Sequence, residues 1–172
     1  MKNFFLNSSE SKNFLLKKKI LGLCVTEGRY SIADLSRELN TSIPTTTKLV
    51  EELIEEGFLE DLGKLDTNGG RRPNIYGLKA SAGYFIGTDV RRHHVSIAIA
   101  DFRGDIVDYI DSIPFKVESS ADSFRNLCSI IKDNIRKFGI KEEEVLAYGL
   151  NLSGRVNNET GYCFTYFIGE DR

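Results

Sequence analysis

Ser42, Pro44, Thr45, Thr47 and Lys48 are gathered in the segment NTSIPTTTKLVEELIEEG, residues 40–57. Apolar spacing predicts a helix here, with Ser42 or Ile43 at its cap and Pro44 in its first turn. Thr46, Leu49, Val50 and Leu53 form the stripe that such a helix would bury. Opposite that stripe lie Pro44, Thr45, Thr47 and Lys48. Small hydroxyl residues at a helix start can come close to phosphates and base edges, and the free N–H groups there add positive potential. A threonine hydroxyl donates or accepts and its methyl can meet a thymine methyl, while a lysine reaches guanine or phosphate. The glutamates begin at Glu51, where the helix would be leaving a groove.

A second cluster is Gly69, Gly70, Arg71, Arg72 and Pro73. Two glycines let the backbone approach a phosphate wall, and an arginine can enter a narrow A·T-rich minor groove. The bland alternative is a solvated turn with two surface arginines.

Both clusters need elements to position them. Phe14, Leu16, Ile20, Leu21, Leu23 and Cys24 fit one broad helix face, which Gly28 ends. Ser31 followed by Asp34 marks a second helix start, with Ile32, Leu35 and Leu39 as its apolar positions. A short break at Asn40–Ser42 leads into the third helix, which Gly57 closes. Phe58–Glu60 and Ile75–Leu78 are short strand runs around the glycine-rich loop. Three helices followed by a two-stranded hairpin make a winged helix-turn-helix, in which the third helix enters the major groove. Lys79–Gly83 is expected as a linker. Strands are then expected at Tyr84–Val90, His94–Asp101 and Ile106–Ile110, with a hairpin turn at FRGD, 102–105. A helix capped by Ser119 or Ser120 is expected over Ala121–Phe138, with Phe124, Leu127, Cys128, Ile131 and Ile135 on one face. Val145–Leu152 is apolar enough to be a central strand. The order β-β-β-α-β is that of the first half of an actin-type nucleotide-binding fold.

Charge separates the two parts. Residues 1–80 carry 12 basic and 11 acidic side chains, and residues 81–172 carry 11 and 14. A formal net charge of −2 excludes nucleic-acid binding by bulk charge alone. Within the first part the signs are sorted. Lys12, Lys17, Lys18 and Lys19 come early, Lys64, Arg71 and Arg72 late, and an acidic run from Glu51 to Asp61 lies between. The 172 residues hold 41% apolar and 28% charged side chains, the balance of a folded globular chain. No apolar run is long enough to span a bilayer, and the N-terminus lacks the pattern of a signal peptide. Cys24, Cys128 and Cys163 form no paired motif, so reducing cytoplasm is the expected compartment.

Other residues with chemical potential read as structural. His93 and His94 are neighbours in a β-turn and would not easily share one metal. Asp101, Asp105, Asp108 and Asp111 read as surface carboxylates around a hairpin. Cys24 and Cys128 sit on apolar helix faces. No Ser-His-Asp set appears at a recognisable spacing. Tyr162, Phe164, Tyr166 and Phe167 form an alternating aromatic strand that reads as an exposed edge.

The run LKKKILGLCVTEGRYSIADLSRELNTSIPTTTKLVEELIEEGFLE, then NGGRRPNIYGL, then GYFIGTDV, resembles the ROK family of repressors, open reading frames and kinases. It is similar to the repressor branch, which joins a winged helix-turn-helix to a sugar-kinase-like domain. NLSGRVNNETG at 151–161 resembles the family's G-x-V-x-x-x-x-G loop, with Ser153 where a proline is usual. The resemblance implies a sugar-responsive transcription factor acting as a homodimer. The kinases of the family carry a D-x-G-G-T phosphate loop, whereas this chain reads Asp89-Val90-Arg91-Arg92-His93. Asp89 fits the aspartate, but bulky side chains replace the glycines that let a backbone cradle phosphate. The family's sugar-binding, catalytic and zinc residues lie beyond position 172, so the chain is expected to be part of a longer protein.

The expected fold is α+β. A winged helix-turn-helix at 1–79 precedes an incomplete actin-like α/β domain, ROK or sugar-kinase-like, at 80–172. The expected partner is a double-stranded DNA operator, met by Ser42, Pro44, Thr45, Thr47, Lys48, Gly70, Arg71 and Arg72. A sugar or sugar phosphate effector is expected only in a full-length chain. No catalytic residue, cofactor, metal or membrane contact is expected. The rival readings are a ROK-type sugar kinase and a pure oligomerisation module.

Overall fold

The structure, a computed structural model, describes residues 11–64, 73–118, 120–152, 155–157, 159–160 and 163–164. The chain divides into two compact units. The first holds residues up to Ala82 together with Phe102–Gly104, and the second holds Gly83–Asp101 and the chain from Asp105 onward.

The first unit opens with α1 (Lys12–Glu27), whose N-cap Ser11 accepts a hydrogen bond from the Phe14 N–H. Gly28 ends it at φ 83°, a left-handed conformation that favours glycine. Next come β1 (Arg29–Ser31), α2 (Ile32–Leu39) and α3 (Ile43–Glu55). The hairpin strands are β2 (Leu59–Lys64) and β3 (Asn74–Leu78). Ile20, Leu21 and Cys24 of α1, Leu35 and Leu39 of α2, and Leu49, Val50 and Leu53 of α3 are buried, as are Phe58, Leu59, Ile75 and Leu78. Burial pushes the Cys24 thiol up to about 11.

Strand β1 was not anticipated from the sequence. It pairs antiparallel with β3 in a sheet ordered β1-β3-β2, with Tyr30 opposite Tyr76 and Ser31 opposite Ile75. Three residues are too few for an alternating pattern, and the partner strand is distant in sequence. The 79–83 segment, expected as a linker, contains a 3-10 turn at Ala80–Ala82, and Ala82 is buried. Within this unit the Phe102 ring lies 5.6 Å from that of Phe58. Arg103 donates through Nε to the Leu78 carbonyl at 2.8 Å and pairs with Glu60.

The second unit contains β4 (Tyr84–Val90), β5 (His94–Asp101), β6 (Ile106–Pro114), α4 (Ala121–Phe138) and β7 (Val145–Leu152). Its sheet runs β6-β5-β4-β7, antiparallel except for the parallel pair β4–β7. Ile86, Val90, Val95, Ile97 and Ile99 form a buried cluster with Leu127 and Ile135 of α4. Ser120 caps α4, its hydroxyl accepting from the Ser123 N–H. A short pair, β8 (Arg155–Val156) and β9 (Cys163–Phe164), follows. Ser153, Tyr162, Tyr166 and Phe167 lie outside the described residues.

Four expectations for this unit need correction. Strand β7 is at an edge of the described sheet rather than its centre, and Tyr148, Leu150 and Leu152 are about half exposed. Phe124 does not join the buried face of α4 but is exposed. Strand β6 runs on past Ile110 to Pro114, because a register shift with Ser112 at φ 55° lets pairing resume. Asp101 is buried rather than a surface carboxylate, and it accepts a hydrogen bond from the Asp105 N–H. Of the cysteines expected in the core, Cys24 is buried and Cys128 half-buried. Among the described residues no helix is long and apolar enough to cross a membrane.

Candidate nucleic-acid interface

The turn between α2 and α3 is held at both ends. Asn40 ends α2 in the left-handed region at φ 51°, which asparagine tolerates better than most side chains. The Thr41 N–H donates to the Ser36 carbonyl, and the Ser36 hydroxyl returns a 2.6 Å bond to the Thr41 carbonyl. Thr46 is fully buried. Its hydroxyl meets that of Thr41 at 2.8 Å and donates to the Ser42 carbonyl. The inward-facing hydroxyls of Ser36 and Thr46 are thus hydrogen-bonded, which helps to fix how α3 leaves the turn.

Ser42 caps α3, its hydroxyl accepting from the Thr45 N–H at 3.3 Å and meeting the Thr45 hydroxyl at 2.8 Å. Ser42, Pro44, Thr45 and Lys48 are exposed. Thr47 is half-buried, not fully on the open face, and its hydroxyl donates to the Ile43 carbonyl at 2.9 Å. Lys48 has a side chain 74% exposed, with Nζ 4.0 Å from Glu52 Oε1. Gly69, Gly70, Arg71 and Arg72 lie outside the described residues.

The base of the hairpin is described. Asp61 accepts from the Gly63 N–H and from Asn74 Nδ2, at 2.8 and 2.9 Å. The β2–β3 register shifts between Asp61 and Lys64, and Gly63 sits there at φ 86°. A bulge at this point re-aims the strands leading into the loop.

The four early lysines do not form one basic face. Lys17 is buried, with Nζ 2.9 Å from Glu52 and 2.6 Å from Glu56. Lys19 donates to the Glu38 carbonyl, and Lys18 lies over the Phe14 ring. Lys17 was legible in part: it stands three, four and seven residues before Ile20, Leu21 and Cys24, on the buried stripe itself. Glu52 of α3 and the C-cap Glu56 thus share one cation from inside the fold, which offsets one of their two charges. Burial draws the Lys17 ammonium down, but its bonds to Glu56 and Glu52 outweigh that and raise it above its ordinary range. The Lys17 hydrogen bond holds Glu52 below the ordinary carboxylate range.

In the second unit Asp89 stands near the end of β4. Its carboxylate accepts from Asn151 Nδ2 and from Arg91 Nε, each at 2.8 Å. A groove of about 470 Å³ lies beside it, lined by Gly87, Ser96, Ala98, Tyr109 and Gly149. Asp89 is therefore already paired with the arginine two residues on. His93 is exposed in the turn before β5.

A family model described as winged helix-turn-helix DNA-binding matches residues 15–60. The xylose repressor of Bacillus subtilis (strain 168) is 31% identical over 152 residues, covering 88% of this chain and 38% of that protein. The putative xylose repressor of Caldicellulosiruptor sp. (strain Rt8B.4) is 25% identical over 146 residues, covering 84% and 36%. A crystal structure of a ROK family transcriptional regulator, a homolog of the E. coli MLC protein, is similar in fold. It aligns with a TM-score of 0.58 at 18% identity, over 84% of this chain and 37% of that one. The chain spans less than two-fifths of the length of these relatives. The chain is thus similar to the N-terminal part of xylose repressors, and its fold is that of the N-terminal part of a ROK family transcriptional regulator.

Proposed function

We propose that this chain is the DNA-reading part of a sugar-responsive transcriptional repressor. Residues 1–79 act as the DNA-binding domain, and residues 80–172 contribute the first half of an actin-like lobe. The carrying observation is the start of α3. Hydrogen bonds across the corner hold it in place, and it presents Thr45 and Lys48 to solvent while Lys17 offsets one of the two charges of Glu52 and Glu56 behind them. Ser42 and Pro44 set the helix start close to a phosphate, and Thr47 supplies its methyl edge. Gly70, Arg71 and Arg72 serve as the wing.

The full-length protein acts in the cytoplasm as a homodimer on a double-stranded operator, and a sugar effector, xylose or a close relative, governs release. The chain itself catalyses nothing. The bonds from Arg91 and Asn151 to Asp89 weigh against the kinase alternative.

The test is selection of duplexes from a randomised pool, followed by fluorescence anisotropy at fixed salt. Sequence-preferring binding is expected. The folded Thr45→Ala/Lys48→Ala double variant should lose on the order of 1–3 kcal/mol on the selected site. Unchanged affinity in that variant rejects the assignment of α3.

A further inference from the structure

Beside the recognition-helix candidate the first unit has an open cleft of about 800 Å³. The first turn of α2 contributes Ile32 and Ala33, the first residue of α3 contributes Ile43, and the base of the hairpin contributes Lys64, Asn74 and Tyr76. We propose that this cleft holds one sugar–phosphate strand of the DNA duplex, with Lys64 as its phosphate contact. The proposal rests on the DNA-binding reading above and gives Lys64, which the charge pattern groups with Arg71 and Arg72, a specific contact.

Four observations favour this occupant. The cleft begins at Ile43, immediately before Pro44 and Thr45, so it continues the face that would meet the bases. A strand passing from that face toward the base of the hairpin would run through it. Its chemistry suits a nucleic-acid backbone, which has an anionic edge and an apolar deoxyribose face. Ile43 is 57% exposed and Ile32 half-buried, offering apolar contact, while the Lys64 ammonium and the Tyr76 hydroxyl serve the phosphate edge. Among the described residues lining it there is no carboxylate. Of the described acids that flank these residues in sequence, Asp61 is held by Gly63 and Asn74, and Asp34 by Ser31 and Arg37. The first turns of two helices border the same space; the Asp34 and Thr45 N–H groups are taken by the Ser31 and Ser42 hydroxyls and Pro44 has none, so the positive ends of the helix dipoles favour an anion there.

The experiment uses the whole chain, its selected operator and an unrelated duplex, with anisotropy titrations at several salt concentrations. Lys64→Ala should weaken both duplexes alike, by about fivefold near 0.15 M salt, and should reduce the log–log salt slope by about one. Ala33→Glu puts a carboxylate on the rim at an exposed first-turn site, where helix stability gains rather than suffers. It should weaken binding at least as much as Lys64→Ala, with an unaltered melting temperature. Val25→Glu, exposed on α1 and outside the cleft, makes the same charge change and should have a smaller effect. Equal losses for Ala33→Glu and Val25→Glu would reduce the effect to net charge and overturn the cleft assignment. Wild-type binding with Lys64→Ala unchanged would overturn it as well. A wild-type chain that binds no duplex overturns the DNA-binding reading itself.

Discussion

Lys17 of α1 places its ammonium 2.9 Å from Glu52 of α3, with Glu56 one turn further at 2.6 Å. One buried cation thus ties the first helix to the third and offsets one of the two negative charges that Glu52 and Glu56 bring to the helix that would approach DNA. Lys17→Ala would leave two carboxylates facing an apolar gap. Because both retain access to water, the expected loss is about 1–3 kcal/mol, less than for a fully buried pair. Chemical denaturation at neutral pH measures it.

The same pair sets a pH profile. Glu52 is held below its ordinary range, so its contribution is present above the unfolded carboxylate pKa and is lost as pH falls through the lower folded value. Lys17 is raised, so its contribution is present below the unfolded ammonium pKa and is lost as pH rises through the higher folded value. Stability from this pair should therefore be level between about pH 5 and pH 10 and fall on either side. Lys17→Met should flatten both limbs of the difference curve. Identical pH dependence in wild type and variant would remove the pair from the stability account.

Glu52 is shared, since its other oxygen lies 4.0 Å from Lys48 Nζ. A lysine held by a carboxylate must give that contact up to reach DNA. Glu52→Gln should tighten binding up to about fivefold, the range of one exposed ion pair. The gain should vanish in a Lys48→Ala background. Additive effects in the four-variant cycle would show that Lys48 is not the group being released.

Much of this site was legible because local chemistry dictates it. Ser31 and Ser42 are caps wherever an apolar helical pattern follows, and Pro44 fits a first turn. Thr46, Leu49, Val50 and Leu53 are buried as their spacing requires. What escaped depends on partners far along the chain. The edge position of β7 follows from which strand pairs with β4, and an apolar strand reads the same at an edge as at the centre. Strand β1 is defined by β3. The cleft beside α3 exists only once the hairpin folds back across the start of α2, so nothing local marks Lys64 and Tyr76 as its lining.

Gly77 is a backbone position without room for a side chain. A Cβ there would lie 2.9 Å from the Gly28 carbonyl oxygen and 2.8 Å from Leu62 Cδ1. Leu62 can rotate away, but the carbonyl belongs to the turn that feeds β1. Gly77→Ala should cost about 1–3 kcal/mol by overpacking. A melting temperature equal to wild type would mean the β1–β3 contact relaxes freely.

The wing arginines offer two distinguishable outcomes. If Arg71 and Arg72 touch only phosphates, each alanine variant should weaken all duplexes alike and lower the salt slope by about one. If one enters a narrow minor groove, its loss should hurt A·T-rich flanks more than G·C-rich flanks, because groove width sets the local potential. The second outcome is expected for Arg71, the residue after the two glycines. Operators differing only in their flanking steps decide it, and equal losses on both flanks would make the wing a phosphate clamp.

Asp89 bears on the kinase alternative. Its two oxygens accept from Asn151 and Arg91, so a phosphate-bound cation there would meet the Arg91 guanidinium already paired with the carboxylate. Arg91 also puts a side chain where a phosphate cradle requires close backbone approach. Incubation of the chain with ATP and a panel of pentoses and hexoses, xylose among them, should give no sugar-dependent ADP release. The Arg91→Gly variant separates the two obstacles. If the arginine alone blocks the groove, nucleotide binding should emerge in that variant, measurable by calorimetry. If the surrounding loop also lacks the needed backbone shape, Arg91→Gly should bind no better than wild type. The second result is expected, because Arg92 remains in the next position. Turnover in the wild-type chain that survives stringent purification would reverse the reading of this groove.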